Sequence, residues 1–225
     1  MPNFHNSVNK INRLAGVCFE NSLRLHLDAI RLYKYKSYAS ALALSILAME
    51  ELSKAYIFED IAWHAVVDGV PIDSSLVISK SILQSHKIKH KVFTNRVFSL
   101  GRIGRNNNIE RKGNVFWKTV QSDRLERLKQ QALYADLTFK DRKGVQRISN
   151  PAAIKHESPK KIITIINDYL IDLAVGILGD WYVIDSEFIA AQIHRSLLRK
   201  LIKTWPYRGL VGIEAIKLAK KHNIS

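Results

Sequence analysis

The first side chains that could do chemistry are Glu50, Glu51 and Lys54, which interrupt a stretch of the chain otherwise rich in alanine and leucine. At 100° per residue, Glu50 falls on the same helical stripe as Ile46 and Ile57, and Lys54 follows one turn later. A buried charge is costly unless it is paired or has a function. The three residues therefore indicate either a functional polar site or an ordinary ion pair, worth about 0.2–0.5 kcal/mol at an exposed position.

A second group of polar side chains lies at residues 85–90. His86 and Lys89 fall on the helical stripe of Phe93, so they also interrupt an apolar row. His86 and His90 are four residues apart, which suits a shared metal ion, but a zinc-protease helix carries Glu at the position where this chain has Lys87. We therefore predict no metal here. A histidine beside lysine and near a carboxylate suits acid–base chemistry or phosphate binding.

The two groups are expected to meet. We predict that Glu50, Lys54, His86 and Lys89 form one hydrogen-bonded cluster between two helices, because buried ionic groups persist when they satisfy one another. The chain has no Gly-x-Ser-x-Gly pattern, no glycine-rich phosphate loop and no Cys-x-x-Cys pair. No cofactor is predicted, and Cys18, on an apolar helical face, is interpreted as an inert core thiol.

Helical periodicity predicts the elements that must position these groups. They form an all-α bundle in one domain, residues 1–225. A short irregular or hairpin insertion is predicted around residues 134–157, and residues 205–225 are predicted to form a basic C-terminal extension. A loop rich in asparagine, glycine and basic residues covers 101–113. The predicted helices cover residues 7–36, 38–67, 73–100, 114–133, 158–177, 187–204 and 210–221.

The charge distribution favours a polyanionic partner. The chain has 35 basic and 20 acidic side chains, a net charge of +15, and the excess lies at residues 80–130, with 13 basic and 3 acidic, and 195–225, with 8 basic and 1 acidic. Clustered cations bind nucleic acid through phosphate neutralisation, and an indole can stack on a base. The alternative is a solvated basic face. The predicted nucleic-acid contacts are Lys87, Lys91, Arg96, Arg102, Arg105, Arg111, Lys112 and Trp117.

Composition also predicts location and assembly. With a single cysteine, no apolar run typical of an export signal and no stretch of about 18 apolar residues, the chain is expected to be cytoplasmic and without a membrane span. The helix at 158–177 carries more apolar side chains than one buried stripe requires. We expect a homodimer to cover the remainder, unless the first or sixth helix covers it within one chain.

Three blocks of the sequence resemble the AbiV family of bacterial abortive-infection proteins, within the HEPN class of α-helical domains. An alanine-rich helix ends in Glu-Glu-Leu-Ser-Lys-Ala at residues 50–55, and Ser-His-Lys-Ile-Lys follows at 85–89. The third block is Lys-Gln-Gln-Ala-Leu-Tyr-Ala-Asp at 129–136, with Pro151 downstream. The family typically reads Glu-Glu-x-Gly-Lys-Ala, Ser-His-x-x-Lys and Leu-Tyr-Val-Asp. Ser53 and Ala135 replace the usual Gly and Val.

The resemblance implies phage defence, in which infection triggers an effector that stops host translation or metabolism. Many HEPN proteins are dimeric, metal-independent ribonucleases with an Arg followed four to six residues later by His, a pattern that this chain lacks. The residues predicted to replace it are Glu50, Glu51, Lys54, His86 and Lys89. RNA or the ribosome is the expected partner, and a phage protein the trigger. The alternative is a non-catalytic toxin or sensor that binds a phage protein or the ribosome.

Overall fold

A computed structural model describes residues 2–72, 80, 81, 83–103, 124–138, 147–182, 184 and 186–224. Most of these residues are helical, which confirms the all-α bundle. The helices are α1 (Pro2–Lys34), α2 (Tyr38–Val67), α3 (His86–Ile103), α4 (Arg124–Leu133), α5 (Glu157–Leu178), α6 (Glu187–Ala190), α7 (Arg195–Thr204) and α8 (Leu210–Lys221).

Helix α2 lies at the centre of the bundle and contacts α1, α3, α4 and α5. Its sequence is apolar nearly all the way round, and buried side chains are distributed over most of its length, as expected for a helix surrounded by others. A short turn, in which Lys36 has φ 62°, joins α1 to α2. A charged side chain that α2 buries can therefore be neutralised by groups on the neighbouring helices.

The predicted hairpin is confirmed as a small antiparallel ribbon. Strand β1 (Asp136–Thr138) pairs with β2 (Arg147–Ser149), with Leu137 opposite Ile148. A single 3-10 turn, Pro151–Ala153, follows, and the Asn150 side chain accepts a hydrogen bond from the Ala152 amide at its start. This ribbon is the one β-sheet in the part of the chain that the structure describes.

Two predicted helices are interrupted. Residues 80, 81, 83 and 84 are helical, but Ser85 is not, and its hydroxyl accepts a hydrogen bond from the Ile88 amide at 3.3 Å. A serine in this position starts a new helix rather than continuing an old one, and α3 then runs to Ile103. The predicted helix at 187–204 is likewise two helices, because the His194 ring caps α7 by accepting from the Leu197 amide.

Helix α5 is covered within one chain, so the prediction that it leaves an apolar face for a second copy is wrong. Ile163 and Ile171 are fully buried, and Ile162, Leu170 and Leu173 nearly so. Helices α1, α2, α7 and α8 all pack against α5. The homodimer stays a prediction, and its support is now the family resemblance alone.

The C-terminal helix α8 is fastened to α5 by Asp168. Gly209 is the N-cap residue of α8, and its amide donates a hydrogen bond of 2.6 Å to the buried Asp168 carboxylate. A Cβ atom at Gly212 would lie 2.2 Å from Asp168 Oδ1, so the close approach requires glycine. Residues 205–224 thus form part of the bundle's packing. None of the described helices has the length and hydropathy needed to cross a membrane.

Candidate functional site

The candidate site forms where α2 and the start of α3 touch. The Ser53 hydroxyl lies 2.7 Å from the Lys89 carbonyl oxygen, and 2.8 Å from that of Met49 one turn earlier. A small side chain is needed at position 53 because the α3 backbone passes this close, and serine meets that need while donating a hydrogen bond. Ser85 caps α3, so His86 is its first residue. The contact between α2 and α3 places His86 beside Glu50, although the two residues are 36 positions apart in the chain.

Glu50 is the centre of the site. Its side chain is only 3% exposed, and four nitrogen atoms surround its carboxylate. His86 Nδ1 lies 2.6 Å and Lys89 Nζ 3.3 Å from Oε2, while Lys129 Nζ lies 2.9 Å and His90 Nε2 3.1 Å from Oε1. The carboxylate thus joins three helices, α2, α3 and α4.

Helix α4 adds a second carboxylate and a second ammonium group to the site. Lys129 is as buried as Glu50, and its ammonium also lies 2.8 Å from Glu126 Oε2, one turn earlier on α4. Two carboxylates, of Glu50 and Glu126, are therefore balanced by two ammonium groups, of Lys89 and Lys129. This internal neutralisation is what makes burial of so many charges tolerable.

The surroundings of Glu50 keep it ionised. Burial alone would raise the pKa of its carboxyl, but hydrogen bonds from His90, Lys129 and His86 outweigh burial and hold the pKa well below its usual range. The Glu126 carboxyl has a lowered pKa as well, because the Lys129 and Gln130 hydrogen bonds outweigh its desolvation. A carboxylate this acidic is a poor proton acceptor, so Glu50 is better suited to orienting a base than to being one.

His86 is the side chain through which the site reaches solvent. Its side chain is 46% exposed, against 3% for Glu50. The ionised Glu50 carboxylate can only accept, so we assign the proton to Nδ1, which donates to Glu50 at 2.6 Å. The Lys129 ammonium, 3.0 Å from the same nitrogen, then donates to the carboxylates of Glu50 and Glu126 and not to Nδ1. The contacts that the described residues make with this ring both go to Nδ1. This tautomer leaves the Nε2 lone pair to accept a proton, the arrangement of a carboxylate-oriented general base.

The structure brings together Glu50, His86 and Lys89, as predicted, but not Lys54. The Lys54 ammonium forms its ion pair with Glu51, on the same helix. Both charges act on the buried Cys18 thiol of α1, so this pair lies on the α1 side of α2. Burial, followed by the Glu51 charge, raises the pKa of Cys18 to about 11, as expected for an inert thiol. The catalytic roles assigned to all five residues stay predictions.

The structure describes the side chains of only three of the predicted nucleic-acid contacts, Lys87, Lys91 and Arg96. Lys87 is exposed and Lys91 half-buried on α3. Arg96 already makes two contacts within the chain. It pairs with Asp60 at 2.5 Å and lies over the Tyr56 ring, 4.9 Å from its centroid. Arg102 belongs to α3, but its side chain lies outside the described part of the structure, as do residues Arg105, Arg111, Lys112 and Trp117.

Sequence reasoning missed Lys129 and Glu126 as site residues and considered His90 only as a metal ligand. Lys129 and Glu126 are one turn apart on a predicted helix, a spacing typical of an ordinary surface ion pair. Lys129 is 79 residues from Glu50, so no local pattern could link them. Among the described residues, Glu50, His86 and Glu126 also make up a set that could hold a metal ion.

One known protein family matches most of the chain. The family model HEPN_AbiV, described as AbiV, matches residues 10–171. The match therefore includes all of the site residues named above, from Glu50 on α2 to Lys129 on α4. No curated protein and no solved structure matches the chain. Because the family model spans well over half of the 225 residues and the fold is an all-α bundle, the chain belongs to the AbiV family of HEPN proteins.

Proposed function

We propose that this protein is an abortive-infection effector that binds RNA and cleaves it without a metal ion. Membership of the AbiV family indicates the role in phage defence. The observation that carries the proposed chemistry is His86, a half-exposed ring whose Nδ1 is held 2.6 Å from the buried Glu50 carboxylate. A histidine held in this way can accept a proton at Nε2 while the carboxylate stabilises the resulting imidazolium.

The reaction that suits this group is attack by the RNA's own 2′-hydroxyl. The 2′-oxygen bonds to the adjacent phosphorus while its proton moves to His86 Nε2. The bond between phosphorus and the 5′-oxygen then breaks, and the imidazolium returns the proton to that oxygen. The products are a 2′,3′-cyclic phosphate and a 5′-hydroxyl, and no metal or cofactor takes part.

The lysines have different roles in this proposal. The ammonium groups of Lys89 and Lys129 are buried and paired with Glu50, so they hold the carboxylate and do not contact phosphate. Exposed Lys87, next to His86, is the better placed cation for the scissile phosphate. Lys54 and Glu51 belong to the neighbouring ion pair and are assigned no step.

The proposal is tested with purified protein, total RNA and EDTA. We expect cleavage that persists in the chelator and leaves 2′,3′-cyclic phosphate ends, detected by end-group analysis. RNA that remains intact over a wide range of protein concentrations would contradict the proposed activity. Cleavage that EDTA abolishes would contradict the metal-independent mechanism.

RNA binding is expected to be strongly salt-dependent and largely indifferent to sequence. Helix α7 carries four exposed basic residues and no acidic one. A groove of about 780 Å³ between α1 and α7 is lined by Lys200 on α7 and, on α1, by Arg24 and Arg31, which both pair with Asp28, and by Glu20. With about six phosphate contacts, affinity should fall about 10³-fold between 50 and 200 mM salt.

The measurement is a fluorescence-anisotropy titration at several salt concentrations. The Arg199→Glu/Lys200→Glu variant should reduce the slope of log affinity against log salt by about two. Its control is Lys10→Glu/Lys34→Glu, which reverses two exposed charges elsewhere on α1. A binding curve that does not change with salt would show that the basic segments only solvate the protein.

A second candidate function is a non-catalytic toxin or sensor that binds a phage protein or the ribosome. The observation that favours it is the charge balance of the site, in which two glutamates and two lysines neutralise one another, as a purely structural network would. In that case RNA stays intact in the cleavage assay, and a His86→Ala strain still resists phage.

A further inference from the structure

A fixed positive charge lies in the middle of the candidate site. The Lys129 ammonium is 2.9 Å from Glu50 Oε1, 2.8 Å from Glu126 Oε2 and 3.0 Å from His86 Nδ1. One ligand atom from each of these three partners lies within 4.8 Å of the others, and two carboxylates with one imidazole suit Mn²⁺ or Zn²⁺. We propose that Lys129 is the resident cation of this site and occupies the position that a divalent metal ion would otherwise take.

The Lys129 ammonium and a divalent metal ion exclude each other from the site, for reasons of both space and charge. A metal ion binds oxygen and nitrogen ligands at about 2.0–2.2 Å, so an ion shared by these three residues would overlap the Lys129 ammonium, which touches all of them. Repulsion between the two positive charges in a buried site adds to the exclusion. The metal and the ammonium therefore cannot occupy the site together.

The ammonium is not free to move aside. The Lys129 side chain is 4% exposed and ion-paired with both glutamates. Moving it away would leave the buried Glu50 carboxylate with one cation fewer, which is strongly unfavourable. With Lys129 in place the two lysines already balance the two glutamates, so a divalent ion would add an uncompensated charge of +2.

The test is a Mn²⁺ titration followed by electron paramagnetic resonance of the free ion, together with thermal unfolding. Lys129→Ala should bind one Mn²⁺ more than the wild type, and Mn²⁺ should raise its Tm. Lys89→Ala is the matched control, because it removes a second ammonium paired with Glu50, 3.3 Å from Oε2, but leaves Lys129 in place. It should gain no site. Adding Glu126→Gln to Lys129→Ala should abolish the new site.

Two results would overturn the inference. One is a Lys129→Ala protein that is folded, as judged by circular dichroism, but binds no more Mn²⁺ than the wild type. The other is wild-type protein that binds Mn²⁺ at a site which Glu126→Gln removes, a measurement that does not require Lys129→Ala to fold. The inference deepens the metal-independent chemistry of the proposed function, but the titration contains no RNA, so its failure and a failure of RNA cleavage are distinguishable.

Discussion

Replacing Glu50 with alanine is expected to lower the free energy of unfolding by about 3–5 kcal/mol, because the change leaves buried cations without their counter-charge. Lys89 and Lys129 both pair with Glu50, and the nearly inaccessible His90 ring also donates to it. Removing one member of such a group costs more than the group contributes as a whole, because its former partners stay buried and unpaired.

The matched control is Glu51→Ala, the next residue on α2. Among the described residues, Glu51 pairs along its own helix with the partly exposed Lys54, so its loss should cost less than about 1 kcal/mol. Urea unfolding followed by far-ultraviolet circular dichroism at neutral pH measures both values. Equal losses in the two variants would show that the Glu50 network does not stabilise the bundle.

The contribution of Glu50 should also depend on pH in a defined direction. Its folded-state pKa is held below the ordinary value of about 4.3, so its stabilising effect is complete above about pH 5 and is lost as pH falls through the folded pKa. Wild type and Glu50→Ala should therefore converge in stability under acid conditions. Burial raises the pKa of Asp168 and of Asp172 to about 6, but both groups are present in the two proteins and cancel in the comparison.

Replacing His86 with alanine is expected to reduce RNA cleavage by about 10²–10⁴-fold, the typical contribution of a general acid–base residue. Stability should fall much less than in Glu50→Ala, because the His86 side chain is nearly half exposed and Glu50 keeps its contacts with Lys89, His90 and Lys129. Initial rates on a labelled single-stranded RNA in EDTA measure the effect, and the unfolding midpoint confirms that the variant is intact. A His86→Ala protein with wild-type rates would remove His86 from the mechanism.

His64 provides the control for His86. It is also an exposed histidine held through Nδ1 by a carboxylate, with Asp68 Oδ2 at 2.5 Å and 57% of its side chain exposed. It lies at the end of α2, more than three turns from Glu50, and touches none of the site lysines that the structure describes. His64→Ala should therefore cleave RNA at the wild-type rate. A similar loss in both variants would indicate a nonspecific effect of removing an exposed histidine.

Local pattern was enough to predict where most of the described helices lie and part of the site. The predicted ranges 38–67 and 210–221 match α2 and α8. Glu50, His86 and Lys89 stood out because each interrupts an apolar stripe. A helical wheel could not decide between the partners of Lys54, since it lies between Glu50 and Glu51 around α2. Side chains from α3 and α4 occupy the hydrogen-bonding positions of the Glu50 carboxylate. Lys54 pairs with Glu51 instead.

The sequence by itself determined the fold class, the buried character of α2 and the unusual polar residues on it, because periodicity and side-chain type are local properties. Only the tertiary structure decided that Lys129 neutralises Glu50 across 79 residues, that His86 is the group that reaches solvent, and that the apolar faces of α5 are covered within one chain. These features depend on how helices distant in sequence dock against one another, and helical period carries no information about which neighbour a face will meet.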